Sequence, residues 1–175
     1  MDLKSTIRTL PDYPKPGIMF RDVTTLFGNA AAFSEAIRQL AEPFKGKGIS
    51  KVAGIEARGF ILGGAMADYL GAGFVPLRKP GKLPFETLSE QYELEYGTDE
   101  LHIHTDAVSP GEQVLLVDDL IATGGTALAG LSLLRRAGAM VMGTAFIIDL
   151  PELGGAAKLA AENVGVHTLI AFDGH

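Results

Sequence analysis

Apolar residues along this chain gather in five short runs, and between the runs they recur every three or four positions. The runs "KVAGI" (51–55), "GFVPL" (73–77), "QVLLV" (113–117), "MVMGTAFII" (140–148) and "VHTLIAF" (166–172) read as strands. Helical spacing fills 59–70, 124–137 and 154–163, and Asn29 stands as the N-cap of a further helix over 30–44. Unbroken apolar strands alternating with helices predict a doubly wound α/β fold, its mainly parallel sheet covered by helices on both faces. Ahead of this core, a short amphipathic helix is predicted at 3–10. "PDYPKPGIMFRD" (11–22) is predicted irregular, because its prolines lack ladder donors and fix φ.

One stretch breaks the alternation. Residues 78–104, "RKPGKLPFETLSEQYELEYGTDELHIH", are long and polar for a connection between strands. Residues 92–96 and 101–104 each alternate around Gly97 and Thr98, which predicts a two-stranded flap with a flexible loop at 79–90. Long insertions in compact domains are commonly lids.

Composition then narrows the function. The 175 residues are 47% hydrophobic and 21% charged, with a formal net charge of −6 and no cysteine. One domain over 1–175 is expected. The acidic balance argues against a bulk nucleic-acid binder, and the lack of cysteine excludes disulfides, thiolate nucleophiles and Cys-ligated zinc. No apolar stretch approaches the roughly 18 residues of a membrane span, and the first residues hold no apolar core of signal-peptide length. A cytoplasmic protein without membrane or nucleic-acid partners is therefore the expectation.

The candidate chemistry lies in "QVLLVDDLIATGGTALAG" (113–130). Asp118 and Asp119 follow an apolar run, at the carboxyl end of a strand, where open α/β sheets bind ligands. Ala122, Thr123, Gly124, Gly125 and Thr126 then open a helix, whose first N–H groups are unpaired and partly positive. The turn suits a phosphate and the carboxylates suit hydroxyl donors or a metal; a molecule with both a phosphate and vicinal hydroxyls, a ribose 5-phosphate, satisfies the pair. A Gly-Gly turn and a strand-end Asp also arise for purely structural reasons, and neither the P-loop nor the dinucleotide fingerprint is present.

"VLLVDDLIATGGT" (114–126) resembles the phosphoribosyl-pyrophosphate signature of type I phosphoribosyltransferases, without a departure along its length. "DYPKPGIMFRD" (12–22), "EARGF" (56–60) with "RKPGKLP" (78–84), and "LEYGTD" (94–99) are similar to one subfamily, the adenine phosphoribosyltransferases. The resemblance implies a small N-terminal hood over about 1–28 and a mobile loop and flap over about 79–104. It also implies transfer of the 5-phosphoribosyl group from phosphoribosyl pyrophosphate to adenine, giving AMP and pyrophosphate with Mg²⁺ present, by a homodimer.

Such a reaction builds oxocarbenium character on the sugar and negative charge on the leaving group. By resemblance, Arg58, Arg78, Lys79 and Lys82 surround the pyrophosphate, although a single loop lysine is as readily a solvated one. The turn at 56–59 would be the pyrophosphate loop, where the family often carries a non-proline cis peptide. Glu95 is the candidate general acid or base and Tyr96 a cover for the site; on alternation alone, Glu93 and Glu95 would be solvent-facing. Met19, Phe20 and Arg21 match the hood segment. There Phe20 would stack on adenine, backbone groups would read its edge, and Leu120 and Ile121 would face it from the other side. A core Phe20 pinning the N-terminal arm is the alternative. Phe85 departs from the expected polar residue, and Met19 stands where β-branched residues or Leu are common. His102 and His104 share a face at strand spacing without a third metal ligand. Two rival functions remain open: a transferase for another base, and a non-catalytic sensor of phosphoribosyl pyrophosphate.

Overall fold

The computed structural model describes residues 1–94 and 96–174. The chain opens with a 3-10 turn at Lys4–Thr6 and then an antiparallel pair, β1 (Arg8–Pro11) and β2 (Met19–Asp22), with Leu10 opposite Phe20. The expected helix at 3–10 and irregular segment at 11–22 are thus corrected. Ile7 and Leu10 have a spacing that serves a helix or a short strand, and the partner of Leu10, Phe20 ten residues downstream, decides for the strand. Three prolines still occupy this region without blocking the ladder, because two of them, Pro14 and Pro16, sit in the connecting turn.

A single helical turn, α1 (Thr24–Phe27), leads to α2 (Ala30–Ala41). The side chain of Asn29 accepts a hydrogen bond from the amide of Ala32 at 3.1 Å, as the N-cap expectation requires. The α-helix stops at Ala41 rather than 44, and Pro43, which has no N–H to continue the ladder, falls in the 3-10 turn Glu42–Phe44 that follows.

Next come β3 (Lys51–Ile55), α3 (Arg58–Leu70) and β4 (Gly73–Leu77), then a hairpin of β5 (Thr87–Glu93) and β6 (Thr98–His104). The remainder alternates: β7 (Gln113–Ile121), α4 (Gly125–Arg136), β8 (Met140–Asp149), α5 (Gly155–Ala160) and β9 (Val166–Ala171). Five of these strands form one parallel sheet in the order β4-β3-β7-β8-β9. Consecutive residues of β7 go to opposite faces, which explains why its sequence is apolar without alternation. Leu115 and Val117 join Leu40, Leu62 and Met66 beneath α2 and α3, whereas Val114 and Leu116 join Leu134, Leu159 and Leu101 of the hairpin.

Further boundaries move: the hairpin strands begin at Thr87 and Thr98 rather than at 92 and 101, so the loop expected at 79–90 gives way to β5 from Thr87 on. Strand β7 continues past Val117 because β8 runs on beside it and pairs Leu120 with Ile148 and Ile121 with Asp149. Helix α5 ends at Ala160 rather than 163. Among the described residues, no helix is long and apolar enough to cross a membrane.

Candidate active site

Strand β7 is the central strand, and its extension fixes the acid pair within a hydrogen-bonded ladder instead of a loose end. The chain turns sharply at Gly124, whose φ of +91° is a conformation that side chains resist, and α4 begins at the next residue. No side chain caps α4; its first helical bond runs from the Leu128 amide to the Gly124 carbonyl at 2.8 Å. The preceding amides have no helical partner, and they meet the positive end of the helix dipole. Arg58, the acid pair and residues 120–127 line a cavity of about 210 Å³ at this point.

Arg58, at the start of α3, donates from Nε to Oδ2 of Asp119 at 2.5 Å, and Asp119 is only 5% exposed. A buried carboxylate of this kind needs its cation. Asp118 has no such partner: its Oδ1 accepts from the Asp119 amide at 2.8 Å and lies where a Cβ on Gly59 would come within 3.0 Å. Burial, reinforced by the neighbouring Asp119 charge, pushes the Asp118 carboxyl well above the usual carboxylate range. The two acids therefore differ: one is neutralised by an arginine, the other is held in wait for a donor.

A second cavity of about 960 Å³ adjoins the first across Thr123, Gly125 and Thr126. Residues 15–18 of the hood, residues 92–94 of the hairpin, Leu128, Leu153 and Lys158 complete its lining. Its size is that of a drug-sized ligand site. Across it, the Lys15 ammonium lies 5.1 Å from the Tyr96 ring centre, so hood and hairpin touch by a cation–π contact.

The four cations expected around pyrophosphate separate in the structure. The peptide between Glu56 and Ala57 is cis, directly before Arg58. Glu56 Oε1 accepts from Arg78 Nε at 3.1 Å and from the Lys79 amide at 2.7 Å, which ties the end of β4 to the end of β3. Lys79 Nζ donates to Tyr92 at 2.7 Å and pairs with Asp99 on the hairpin, so its charge faces the hairpin rather than the smaller cavity. Lys82 is exposed in the loop.

The residues expected to receive the base stand as follows. Leu120 and Ile121 line the smaller cavity. Met19 is 37% exposed, and Phe20 meets Tyr13 edge-on at 5.2 Å. The Arg21 guanidinium donates to Thr9 Oγ1 at 2.7 Å and lies 4.3 Å from the ring centre of Phe172, just after β9, so its side chain bridges the hood and the end of the sheet. Glu95 lies outside the described residues. His102 bonds Thr87 within the hairpin, and among the described residues no cluster of three or more His, Cys, Asp or Glu can hold a metal.

Sequence reasoning missed Glu56, Gly59, Lys15, Leu153 and Lys158. Lys15 lies inside the quoted hood segment, where a cation among prolines is a visible signal. Nothing local marks Leu153 or Lys158, which reach the cavity only because β8 and α5 lie beside β7 and α4.

Comparison with known proteins bears on the same residues. The profile of the phosphoribosyl transferase domain family matches residues 24–162. Adenine phosphoribosyltransferase of Bradyrhizobium sp. (strain ORS 278) is 65% identical over 175 residues, covering 100% of this chain and 98% of the relative. The enzyme of that name from Maricaulis maris is 64% identical and covers 99% of each chain. A crystal structure of adenine phosphoribosyltransferase from Rhodothermus marinus superposes with a TM-score of 0.91 at 54% identity, over 97% of this chain and 96% of that one. The Saccharomyces cerevisiae enzyme, solved with an imino-altritol bisphosphate and adenine, gives 0.90 at 39% identity over 97% of each chain.

Proposed function

The chain belongs to the phosphoribosyl transferase domain family, and from that premise we propose that it transfers the 5-phosphoribosyl group of phosphoribosyl pyrophosphate to adenine, yielding AMP and pyrophosphate in purine salvage. The observation that carries this reading is the cradle on β7: an uncapped helix start of unpaired amides directly beside two carboxylates in different charge environments. The amides suit the 5-phosphate, and the acids suit the ribose hydroxyls.

In the reaction, a bond forms between a ring nitrogen of adenine and C1 of the ribose while the bond from C1 to the pyrophosphate oxygen breaks. The electron pair leaves with pyrophosphate, and the proton of the attacking nitrogen passes to the Glu95 carboxylate. Arg58 lines the cradle, where it would steady charge on the leaving group; Arg78, Lys79 and Lys82 would join it only by leaving their present partners or swinging in with the loop. Phe20, the backbone at Met19 and Arg21, and Leu120 and Ile121 receive the base, with Tyr96 closing over it. The donor set at the cradle, two carboxylates and no histidine, fits a small hard cation that takes most of its ligands from substrate and water. Bound in that way, Mg²⁺ would neutralise developing pyrophosphate charge. The proposal includes a single domain over residues 1–175, a cytoplasmic location and a homodimer; the exposed apolar Ile61 and Phe74 are consistent with a covered surface.

The test offers adenine, hypoxanthine, guanine, xanthine, uracil and orotate singly with phosphoribosyl pyrophosphate and Mg²⁺, and follows pyrophosphate release. Release with adenine alone is expected. Release only with a 6-oxopurine or a pyrimidine reassigns the base, and no release with any base makes the chain a sensor.

A further inference from the structure

The phosphate turn does not hold its shape alone. The chain from 150 to 155 runs beside it, with the Leu150 amide donating to the Ile121 carbonyl at 3.0 Å and the Gly155 amide to the Ala122 carbonyl at 3.0 Å. Gly155 is the buried first residue of α5. A Cβ placed on it would lie 2.5 Å from the Ala122 oxygen, 2.7 Å from the Gly124 nitrogen and 2.9 Å from the Gly124 Cα. All three are backbone atoms, so no side chain can rotate aside. The contact is reciprocal: a Cβ on Gly124 would lie 2.9 Å from the Gly155 Cα. Gly124 therefore lacks a side chain because of the protein's own backbone, besides any need of a ligand. Its neighbour Gly154 has a left-handed φ of +80° but nothing within 4 Å of a Cβ.

We propose that Gly155 is a positioning residue for the phosphate turn: the start of α5 is the template against which residues 122–124 take the geometry that receives the sugar phosphate. This rests on the transferase reading and deepens it. A methyl group at 155 must push the Ala122 carbonyl and the Gly124 amide out of place. A misplacement of about 1 Å at such a site costs on the order of 100-fold. The loss should fall on the phosphate and not on the base, which the hood and residues 120–121 receive.

The experiment compares Gly155→Ala with Gly154→Ala in the full chain. Both burden the start of α5, but only the first presses on the turn. Steady-state kinetics give KM for phosphoribosyl pyrophosphate and for adenine, calorimetry gives affinity for ribose 5-phosphate, and thermal denaturation gives stability. For Gly155→Ala we expect a rise of about 10- to 100-fold in KM for phosphoribosyl pyrophosphate. Weaker ribose 5-phosphate binding should accompany it, with the adenine KM within about threefold; Gly154→Ala should lose stability with both KM values kept. Equal rises in both KM values, an unchanged KM for phosphoribosyl pyrophosphate, or the same selective rise in Gly154→Ala overturns the inference. Should Gly155→Ala fail to fold, Leu159→Val loosens α5 from its buried anchor without touching the turn, and it must raise the same KM selectively or the inference fails. A wild type that binds ribose 5-phosphate but releases pyrophosphate with no base defeats the transferase reading alone, because the calorimetric comparison of the two glycine variants still decides the role of Gly155.

Discussion

The floor of the site and its cover are built by opposite means. The floor, residues 118–127, is continuous in sequence, sits on the central strand of a five-stranded sheet and presents backbone amides fixed by a turn and a helix start. The cover consists of two antiparallel ribbons, β1 with β2 and β5 with β6; neither is a strand of the central sheet, and the hairpin meets its edge through one backbone bridge, Arg78 with His102. Ribbons of two strands are marginal by themselves, and side chains hold these in place. Arg136 of α4 donates to the Ser89 carbonyl at 2.6 Å, the Arg21 guanidinium lies 4.3 Å from the ring centre of Phe172 just after β9, and within the hood Arg8 reaches Asp22 at 2.6 Å. The hydroxyl of Thr24, with Arg8 in support, holds the Asp22 carboxyl down to about 2. Because the folded value is depressed, the stabilisation this carboxylate brings to the hood persists above the unfolded value and is lost only as pH falls toward about 2. The contrast teaches a division of labour. On the proposed reading, what stays constant through the reaction, the phosphate, would be bound by backbone, and what changes, the proton and the leaving charge, would be met by side chains of the hairpin, its loop and Arg58.

The strongest way to break that division is at Glu95. If proton transfer belongs to the cover, Glu95→Gln should reduce kcat by about 10²- to 10⁴-fold while KM for both substrates changes much less. Turnover equal to the wild type would move the proton step off the hairpin and leave the cover a shield only.

A smaller effect, of two opposite signs, is expected on the floor. Asp118 has its folded value raised, so between the unfolded carboxylate range and that higher value the folded chain holds more protons than the unfolded one. Stability consequently falls as pH rises through that window. Asp118→Asn removes the penalty. Its Tm should exceed that of the wild type at neutral pH, by about 2–4 °C for each kcal/mol recovered, and the gap should close as pH drops below about 4. Activity should move the other way, since a hydroxyl bonded to a charged acceptor is worth about 1.5–3 kcal/mol, or roughly 10- to 150-fold. A thermal scan across pH beside a kcat/KM measurement checks both; a variant less stable at neutral pH would show that the carboxylate is already satisfied.

Legibility followed the same division. The five core strands and the cradle could be read because their signals are local: β7 carries its apolar run, its acids and its glycine turn in one stretch. The hood strands could not. Residues 7–10 fit a helix as well as a strand, and only the distant Phe20 segment makes Arg8–Pro11 β1. The length of β7 escaped for a related reason, since β8 supplies the ladder beyond Val117. Within the site, Asp119 and Arg58 were each visible, but not that they pair across 61 positions of sequence. Gly155 was invisible as a site residue because a glycine beside another glycine at a helix start signals only a turn; its meaning lies in the Ala122 carbonyl against it.

The finest test concerns Lys79, which the sequence pattern gives to the pyrophosphate and the structure gives to Asp99 and Tyr92. Both partners of the ion pair are about one-third exposed, so their coupling should be modest, about 0.2–1 kcal/mol in a double-mutant cycle of Lys79→Met and Asp99→Asn. The kinetic sign is more telling than the magnitude. Lys79 holds the Asp99 carboxyl below its usual range, and Asp99→Asn returns that ammonium to whatever anion enters. If Lys79 exchanges Asp99 for pyrophosphate, KM for phosphoribosyl pyrophosphate should fall in Asp99→Asn, by no more than about fivefold, since 1.4 kcal/mol corresponds to a tenfold change. A rise instead would mean that the pair is a strap holding the hairpin over the cradle, and that the cover contributes shape at this corner rather than charge.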